Sequence, residues 1–370
     1  MGNWKTCTIG ELGTVIGGAT PSTKESENYE GGTIAWITPK DLASFSGRYI
    51  SHGERNITEK GLQSCSTQLM PAHTVLFSSR APIGYVAIAK QEVCTNQGFK
   101  SVVPNANTDY MFLYYLLKYS KEKIENLGSG TTFKEVSGSV MRDVKVSIPE
   151  TVEEQRQIAS VLSALDDKIE RNIEINDNLQ QQAQVIYASM FVTNANPDWQ
   201  QGHLSDLITV KYGKDHKKLA DGTYPVYGSG GIMRYVECPL YDRESVLIPR
   251  KGTLNNVMYV NHPFWSVDTM FYTEMRLPNV AKYVYHLVKA KDLASMNAGS
   301  AVPSMTTDIL NAMEVTIPSA SVLEEFERTV APMYSAIQEN KKQSKKLAEL
   351  RDTLLPKLIS GKIDVSNIQL

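Results

Sequence analysis

The chain has 370 residues, of which 42% are hydrophobic and 21% charged, and its formal net charge is −2. That length accommodates two domains of ordinary size, and the near-neutral balance excludes a protein that grips nucleic acid through a broad basic face alone. No apolar run approaches the ~20 residues of a membrane span; Met1-Gly2-Asn3-Trp4-Lys5 lacks the apolar core of a secretory signal; and Cys7, Cys65, Cys94 and Cys238 are scattered, which together predict a cytoplasmic protein with reduced thiols.

In chain order, a segment led by Trp4 contains the strand patterns Ala35-Trp36-Ile37, Thr74-Val75-Leu76-Phe77 and Gly84-Tyr85-Val86-Ala87-Ile88, punctuated by Pro and Gly. Tyr110 to Ile124 reads as an apolar-rich helix, and Val144 to Pro149 as a closing strand. An acidic helical stretch follows from Glu153 to Phe191; residues 151–191 carry three basic and seven acidic side chains. A second Trp, Trp199, then restarts the layout. Its strand candidates are Ser245 to Ile248, Asn256 to Val260 and Met270 to Tyr272; its helix is Val280 to Leu293; its closing strand is Met313 to Pro318. A second long helix runs from Leu323 to Ile359, with Pro332 expected to break or kink its start and Pro356 its last turn. A repeat of this size is too long for a solenoid unit. The fold class is therefore α+β, two mixed domains each followed by one long helix.

Steps of four and three along the first helix give Ile158, Leu162, Leu165, Ile169, Asn172, Asn176, Leu179, Ala183, Ile186 and Met190. The second helix repeats the heptad seam with Phe326, Val330, Met333, Ile337, Asn340, Ser344, Leu347, Arg351, Leu354 and Leu358. Antiparallel packing about the polar centres sets Asn172 against Ser344 and Asn176 against Asn340, so that buried polar groups satisfy one another. Parallel packing also matches Asn172 with Asn340, but an approximate internal two-fold favours the antiparallel coiled coil. About 39 residues make a rod of roughly 58 Å, longer than the ~34–36 Å turn of B-DNA.

Two polar loops follow buried strands in the two halves: Ser78-Ser79-Arg80-Ala81-Pro82-Ile83-Gly84, and Pro249-Arg250-Lys251-Gly252-Thr253-Leu254-Asn255-Asn256. Arginine among small hydroxyl, Gly and Asn neighbours suits phosphate and base-edge hydrogen bonding. Tyr227-Gly228-Ser229-Gly230-Gly231 lacks the spacing of a phosphate-binding loop and reads as a turn. Gly17-Gly18-Ala19-Thr20-Pro21-Ser22 is similar, with hydroxyls able to touch phosphate. The six histidines show no ligand spacing, so no metal is expected. There is no GxSxG, no P-loop and no Asn/Asp-Pro-Pro-aromatic tetrapeptide, so the chain is not expected to catalyse alone.

Several of these segments resemble the specificity subunits of type I restriction–modification systems. Ser79 to Tyr85 followed by Thr95-Asn96-Gln97-Gly98-Phe99-Lys100 is similar to the family's target-recognition domains, as is Tyr224 to Ile232 with Arg250-Lys251-Gly252-Thr253. Glu154-Gln155-Arg156-Gln157-Ile158-Ala159 resembles the start of the family's central conserved region, and Leu350 to Ile363 its closing one. Asn255-Asn256 stand where many members have Gly.

The resemblance implies target-recognition domains at residues 1–150 and 194–318, each reading one half of a split, asymmetric DNA target. Helical spacers occupy 151–193 and 319–370, the latter including a tail. It nominates Thr20, Ser22, Lys24, Lys40, Ser78, Ser79, Arg80, Tyr85, Asn96, Gln97 and Lys100 for DNA contact in the first domain. Ser229, Arg250, Lys251, Thr253, Asn255 and Asn256 are nominated in the second. It further implies two modification subunits that bind S-adenosylmethionine, restriction subunits driven by ATP, and no cofactor on this chain. The specificity module of a simpler methyltransferase system, a coiled-coil scaffold without a DNA role and a repressor-like DNA binder stay open as alternatives.

Overall fold

The computed structural model describes residues 3–43, 45–80, 82–130, 134–296 and 304–365; Ala81 of the Arg80 loop and tail residues 366–370 lie outside the described residues. The chain forms two compact units, Met1–Ile173 with Lys341–Leu370, and Glu174–Asn340. The helices predicted as separate spacers are thus divided between the units.

In the first unit, strand Trp4–Thr8 pairs antiparallel with Lys145–Pro149. The chain then enters the short helix Ile9–Leu12, where the Glu11 carboxylate accepts from the Thr8 backbone N–H at 2.6 Å and ties down the helix start. A five-stranded sheet runs in the order Gly13–Gly17, Lys100–Pro104, Val75–Phe77, Val86–Ala89, Tyr49–Ile50, antiparallel except for its last pair. A three-stranded sheet sets Ile34–Ile37 between Arg55–Ile57 and Cys94–Thr95, the latter parallel. The predicted 110–124 helix is two: Tyr110–Tyr119, capped by Asp109 accepting from Phe112 N–H at 2.8 Å, and Lys121–Asn126. Ser120, at ψ 0°, separates them.

The second unit repeats the plan. Gln200–His203 pairs with Glu314–Ile317. A four-stranded antiparallel sheet runs Ile208–Tyr212, Met270–Met275, Ser245–Pro249, Met258–Val260. Asp221–Gly228 lies between Gly231–Val236 and the parallel strand Trp265–Ser266. The glycine-rich Tyr227–Gly231 segment is the turn of that hairpin, with Gly231 at φ 114°. The helix is Ala281–Lys289, shorter than predicted.

The first long helix spans Val152–Ala188 and passes into a π-helical turn at Ser189–Thr193; the second spans Ala320–Ile359. The expected break does not occur: the second continues as helix through Pro332 and Pro356. Each proline removes a backbone donor at a cost of about 3 kcal/mol, but buried Val330, Tyr334 and Ile337 flank Pro332, and buried Leu358 and Ile359 follow Pro356. That burial holds the helical face in place. Within the first unit, Ile158, Ala159, Leu162, Leu358 and Ile359 join a core with Phe77, Phe112 and Tyr115. Within the second, Ala183, Tyr187, Leu323, Phe326 and Val330 pack with Phe271 and Tyr283.

Polar side chains midway along the two long helices bond to one another. Asn172 Nδ2 donates to Ser344 Oγ at 3.1 Å and Gln343 Oε1 at 2.9 Å, and Asn340 Nδ2 donates to Asn176 Oδ1 at 2.9 Å. Nearby, buried Asp166 accepts from Arg351 Nη1 and Tyr115 Oη, both at 2.6 Å, so Arg351 occupies its seam position as a charge partner. Buried Arg48 is clasped by Asp167 and Glu170 of the first long helix. Among the described residues no helix is long and apolar enough to cross a membrane.

Two predictions follow from this packing. Asn340→Leu removes the donor to nearly buried Asn176 and is expected to destabilise the second unit by about 1–3 kcal/mol. The Asn176→Leu/Asn340→Leu pair should cost less than the sum of the singles in a double-mutant cycle of denaturant unfolding; strict additivity sinks the coupling. His286 is buried, with Nδ1 donating to Gln184 Oε1 at 2.7 Å and Nε2 accepting from Tyr334 Oη at 2.8 Å. Burial, aided by the Lys289 charge, pushes its pKa down to about 4. The unfolded ring takes a proton near pH 6.5, so the stability it contributes is present above that value and is lost as pH falls towards 4. NMR titration of the ring should give a midpoint near 4; a midpoint near 6.5 refutes a buried neutral imidazole.

Candidate nucleic-acid interface

In the first unit three nominated segments come together. Ser79 N–H donates to Gly98 O at 2.7 Å, and Ala19 N–H to Thr95 O at 3.0 Å. Exposed Thr20 donates from Oγ1 to Oε1 of exposed Gln97. Asn96 Oδ1 accepts from Gly98 N–H at 2.9 Å and shapes that turn. Arg80 Nε lies 3.0 Å from Glu135 Oε2, whose other oxygen is 3.7 Å from Lys100 Nζ. Burial lowers the Lys100 pKa below the usual lysine value, with Glu135 opposing and Arg80 reinforcing that shift.

Not every nominated side chain faces outward. Ser78 and Ser79 are fully buried. Ser78 Oγ donates to Pro82 O and accepts from Tyr85 N–H, both at 2.8 Å, so the hydroxyl of Ser78 builds the loop instead of reaching a duplex. Half-buried Tyr85 receives Ser78 N–H on its carbonyl at 2.9 Å. Exposed Ser22 uses its carbonyl to accept from Asn28 Nδ2, Lys24 is exposed beside it, and Lys40 is paired with Glu54 at 2.7 Å.

In the second unit the Arg250 loop lies against the hairpin turn. Asn256 Nδ2 donates to Ser229 O at 2.7 Å. Gly252 has φ 85°, and a Cβ there would meet Ser229 Oγ at 2.7 Å, so this contact requires glycine. Asn255 is held from both ends, donating to Asp292 Oδ1 and accepting from Ala294 N–H, each at 3.0 Å. Arg250 stacks its guanidinium 5.3 Å over the Tyr212 ring and donates to Asp268 O at 3.2 Å. Lys251 and Thr253 are exposed.

Backbone hydrogen bonds give the register between the two loops. Ser79 N–H to Gly98 O matches Arg250 N–H to Thr269 O; Val136 N–H to Ser79 O matches Met305 N–H to Arg250 O; Ala19 N–H to Thr95 O matches Lys214 N–H to Ser266 O. The isolated bridges Arg80–Glu135 and Lys251–Ser304 complete the match. The structural counterpart of Arg80 is therefore Lys251, and that of Arg250 is buried Ser79, one residue out of the sequence pairing of the two arginines. Glu135 and Tyr212, which sequence reasoning missed, sit far along the chain from the cations they contact, with no local motif to mark them.

Each unit thus offers an exposed cation on a hydrogen-bonded loop framework, without the clustered acids of a metal site among the described residues. A family model described as the type I restriction modification DNA specificity domain matches residues 1–181 and 196–348. The chain belongs to that family. It is 33% identical over 412 aligned positions to the type I restriction enzyme MjaIX specificity subunit of Methanocaldococcus jannaschii, covering 99% of this chain and 95% of the relative. A putative type I specificity subunit of Mycoplasma pneumoniae is 27% identical, covering 74% of this chain and 80% of the relative. The fold is similar to the crystal structure of a type I restriction–modification system S subunit from M. genitalium, with a TM-score of 0.61, 21% identity and 96% of each chain covered. The two matched segments of the family model each contain one of the repeated loop frameworks.

The register makes a sharp prediction for this specificity family member. Arg80→Ala and Lys251→Ala should each alter recognition of one half-site, measured by binding to a randomised split duplex. Loss of a base contact relaxes one or two positions by about 1–3 kcal/mol. Loss of a phosphate contact lowers binding uniformly and reduces the salt slope by about one. Parental behaviour of both variants on every sequence would remove these loops from the interface.

Proposed function

We propose that this chain is the DNA sequence-recognition subunit of a type I restriction–modification enzyme, with each compact unit reading one half of a split, asymmetric target. The observation that carries the reading is the repeated loop framework: the same backbone bonds present Arg80 in one unit and Lys251 in the other, within a chain of the DNA specificity family. The near-neutral charge fits a subunit that shares its hold on phosphates with partners. Subunits of this class assemble with modification and restriction subunits. For this chain we place two modification subunits carrying S-adenosylmethionine beside it and ATP on the restriction subunits. The recognition domains correspond to residues 1–150 and 194–318.

The long helices act in this reading as an antiparallel coiled-coil spacer with approximate two-fold symmetry. The support is the Asn172–Ser344 and Asn176–Asn340 hydrogen bonds, whose numbering rises along one helix as it falls along the other. The seam residues Ile169, Leu179, Ile186, Ile337, Leu347 and Leu354 are all buried or half-buried, as a packed seam requires.

Two experiments test this assignment. The purified chain should transfer no methyl group from S-adenosylmethionine, and co-purification with a modification subunit should give methylation of one split sequence; equal transfer by the chain alone overturns the recognition role. Inserting one heptad into each helix beside Asn176 and Asn340 should lengthen the spacer by about 10 Å. Methylome sequencing should then find the same half-sites about three base pairs further apart, at 3.4 Å each. An active variant with unchanged spacing refutes the ruler.

A further inference from the structure

The carboxylate of Glu135 is out of place on a surface meant for DNA, where it repels phosphate. The first unit nevertheless fixes it firmly. Glu135 exchanges both backbone hydrogen bonds with Ser129, at 2.9 and 3.0 Å, and the next residue, Val136, donates to Ser79 O at 2.9 Å. Its two oxygens face different cations, Arg80 Nε at 3.0 Å and Lys100 Nζ at 3.7 Å. The Lys100 side chain is only 15% exposed, whereas that of Arg80 is 46% exposed. The covered lysine neutralises the carboxylate from the protein side and leaves the arginine outermost.

The fold does not require this arrangement. At the matching positions of the second unit, Ser304 replaces Glu135 and Phe271 replaces Lys100, on the same backbone bonds. Carboxylate and neutralising lysine are absent together, and the outward cation there is Lys251. A lysine offers a point charge; a guanidinium offers a planar fork that loses its value when it swings freely. Among the described residues Glu135 is the one ion-pair partner of Arg80, and it engages Nε. The terminal nitrogens, Nη1 and Nη2, take no part in that ion pair, and on a side chain 46% exposed they form a pair of donors of the kind that guanine O6 and N7 accept.

We propose that Glu135 is a positioning residue for half-site recognition, holding Arg80 so that its terminal nitrogens read a guanine, with Lys100 cancelling the carboxylate charge. The inference rests on the DNA-recognition role proposed above and deepens it: the half-site read by the first unit contains a G·C pair contacted by Arg80. The second unit, with Lys251 and, among the described residues, no carboxylate paired with it, has no equivalent guanine contact at that position.

The test uses the full chain assembled with its modification subunit, methylating a library of split duplexes in which every half-site position is varied. Glu135→Gln keeps the shape of the side chain and removes its charge. It should reduce discrimination at one G·C pair of one half-site about tenfold, with the other half-site untouched and binding to an unrelated duplex undiminished. A merely structural role would weaken all binding together. Arg80→Lys, which keeps the charge but loses the fork, should lose discrimination at the same base pair, and the double variant should lose no more than either single. Full discrimination in Glu135→Gln, effects of the two variants at different positions, additive losses, or an affected pair that is A·T each overturn the assignment. Should Glu135→Gln fail to fold, Arg80→Lys decides alone: it must relax one G·C pair of one half-site. Parent assembly that selects no split sequence overturns the recognition role itself, whereas selective parent and unaltered variants overturn only this contact.

Discussion

The structure depends on two helices whose opposite ends complete two different hydrophobic cores. The first long helix gives Ile158 and Leu162 to one core and Ala183 and Tyr187 to the other; the second gives Phe326 and Val330 to one and Leu358 and Ile359 to the other. Burial of such side chains is the dominant favourable term in folding, so neither helix can slide without emptying holes in both units. The polar steps Asn172, Asn176, Asn340 and Ser344 sharpen that constraint, because a shift of one turn keeps at most one polar pair and sets the other two polar side chains against apolar residues.

Against this fixed background the two units separate scaffold from recognition. Scaffold is backbone: the loop hydrogen bonds recur although the side chains beside them have changed. Even the indole that supports the first loop segment has moved. Trp36 donates to Ala19 O at 3.1 Å from one strand of the parallel pair, while Trp265 donates to the matching Lys214 O at 2.9 Å from the other. Loops held by main-chain bonds tolerate exchange of their outward side chains, which suits a family whose members must differ in what they read.

The two long helices were legible in the sequence because helical spacing of apolar residues is local. The strands flanked by Pro and Gly were legible for a similar reason. Register between the halves was not. Equivalent positions lie 195 residues apart at Trp4 and Trp199 but 171 apart at Arg80 and Lys251, mainly because the first unit holds a longer segment between its parallel strands than the second does. A motif comparison aligned one arginine with the other; hydrogen bonds align Arg80 with a lysine. The burial of Ser78 and Ser79, the Glu135 contact and the continuity of a helix through Pro332 all depend on residues distant in sequence, where local patterns carry no information.

The division of the chain also imposes an order on folding. The second unit is one continuous stretch, Glu174–Asn340, whereas the first needs residues from both ends of the chain. Its core includes Leu358, Ile359 and Val365, and Trp4 packs so close to Gly361 that an added Cβ would lie 2.7 Å from the indole. During synthesis the second unit can close as soon as its own residues emerge. The first must wait, with part of its apolar surface uncovered, until the last turn of the second helix arrives across a loop closure of more than 160 residues. The amino-terminal half of this protein is therefore made first and finished last, and it is the half most exposed to chaperones and proteases in the interval.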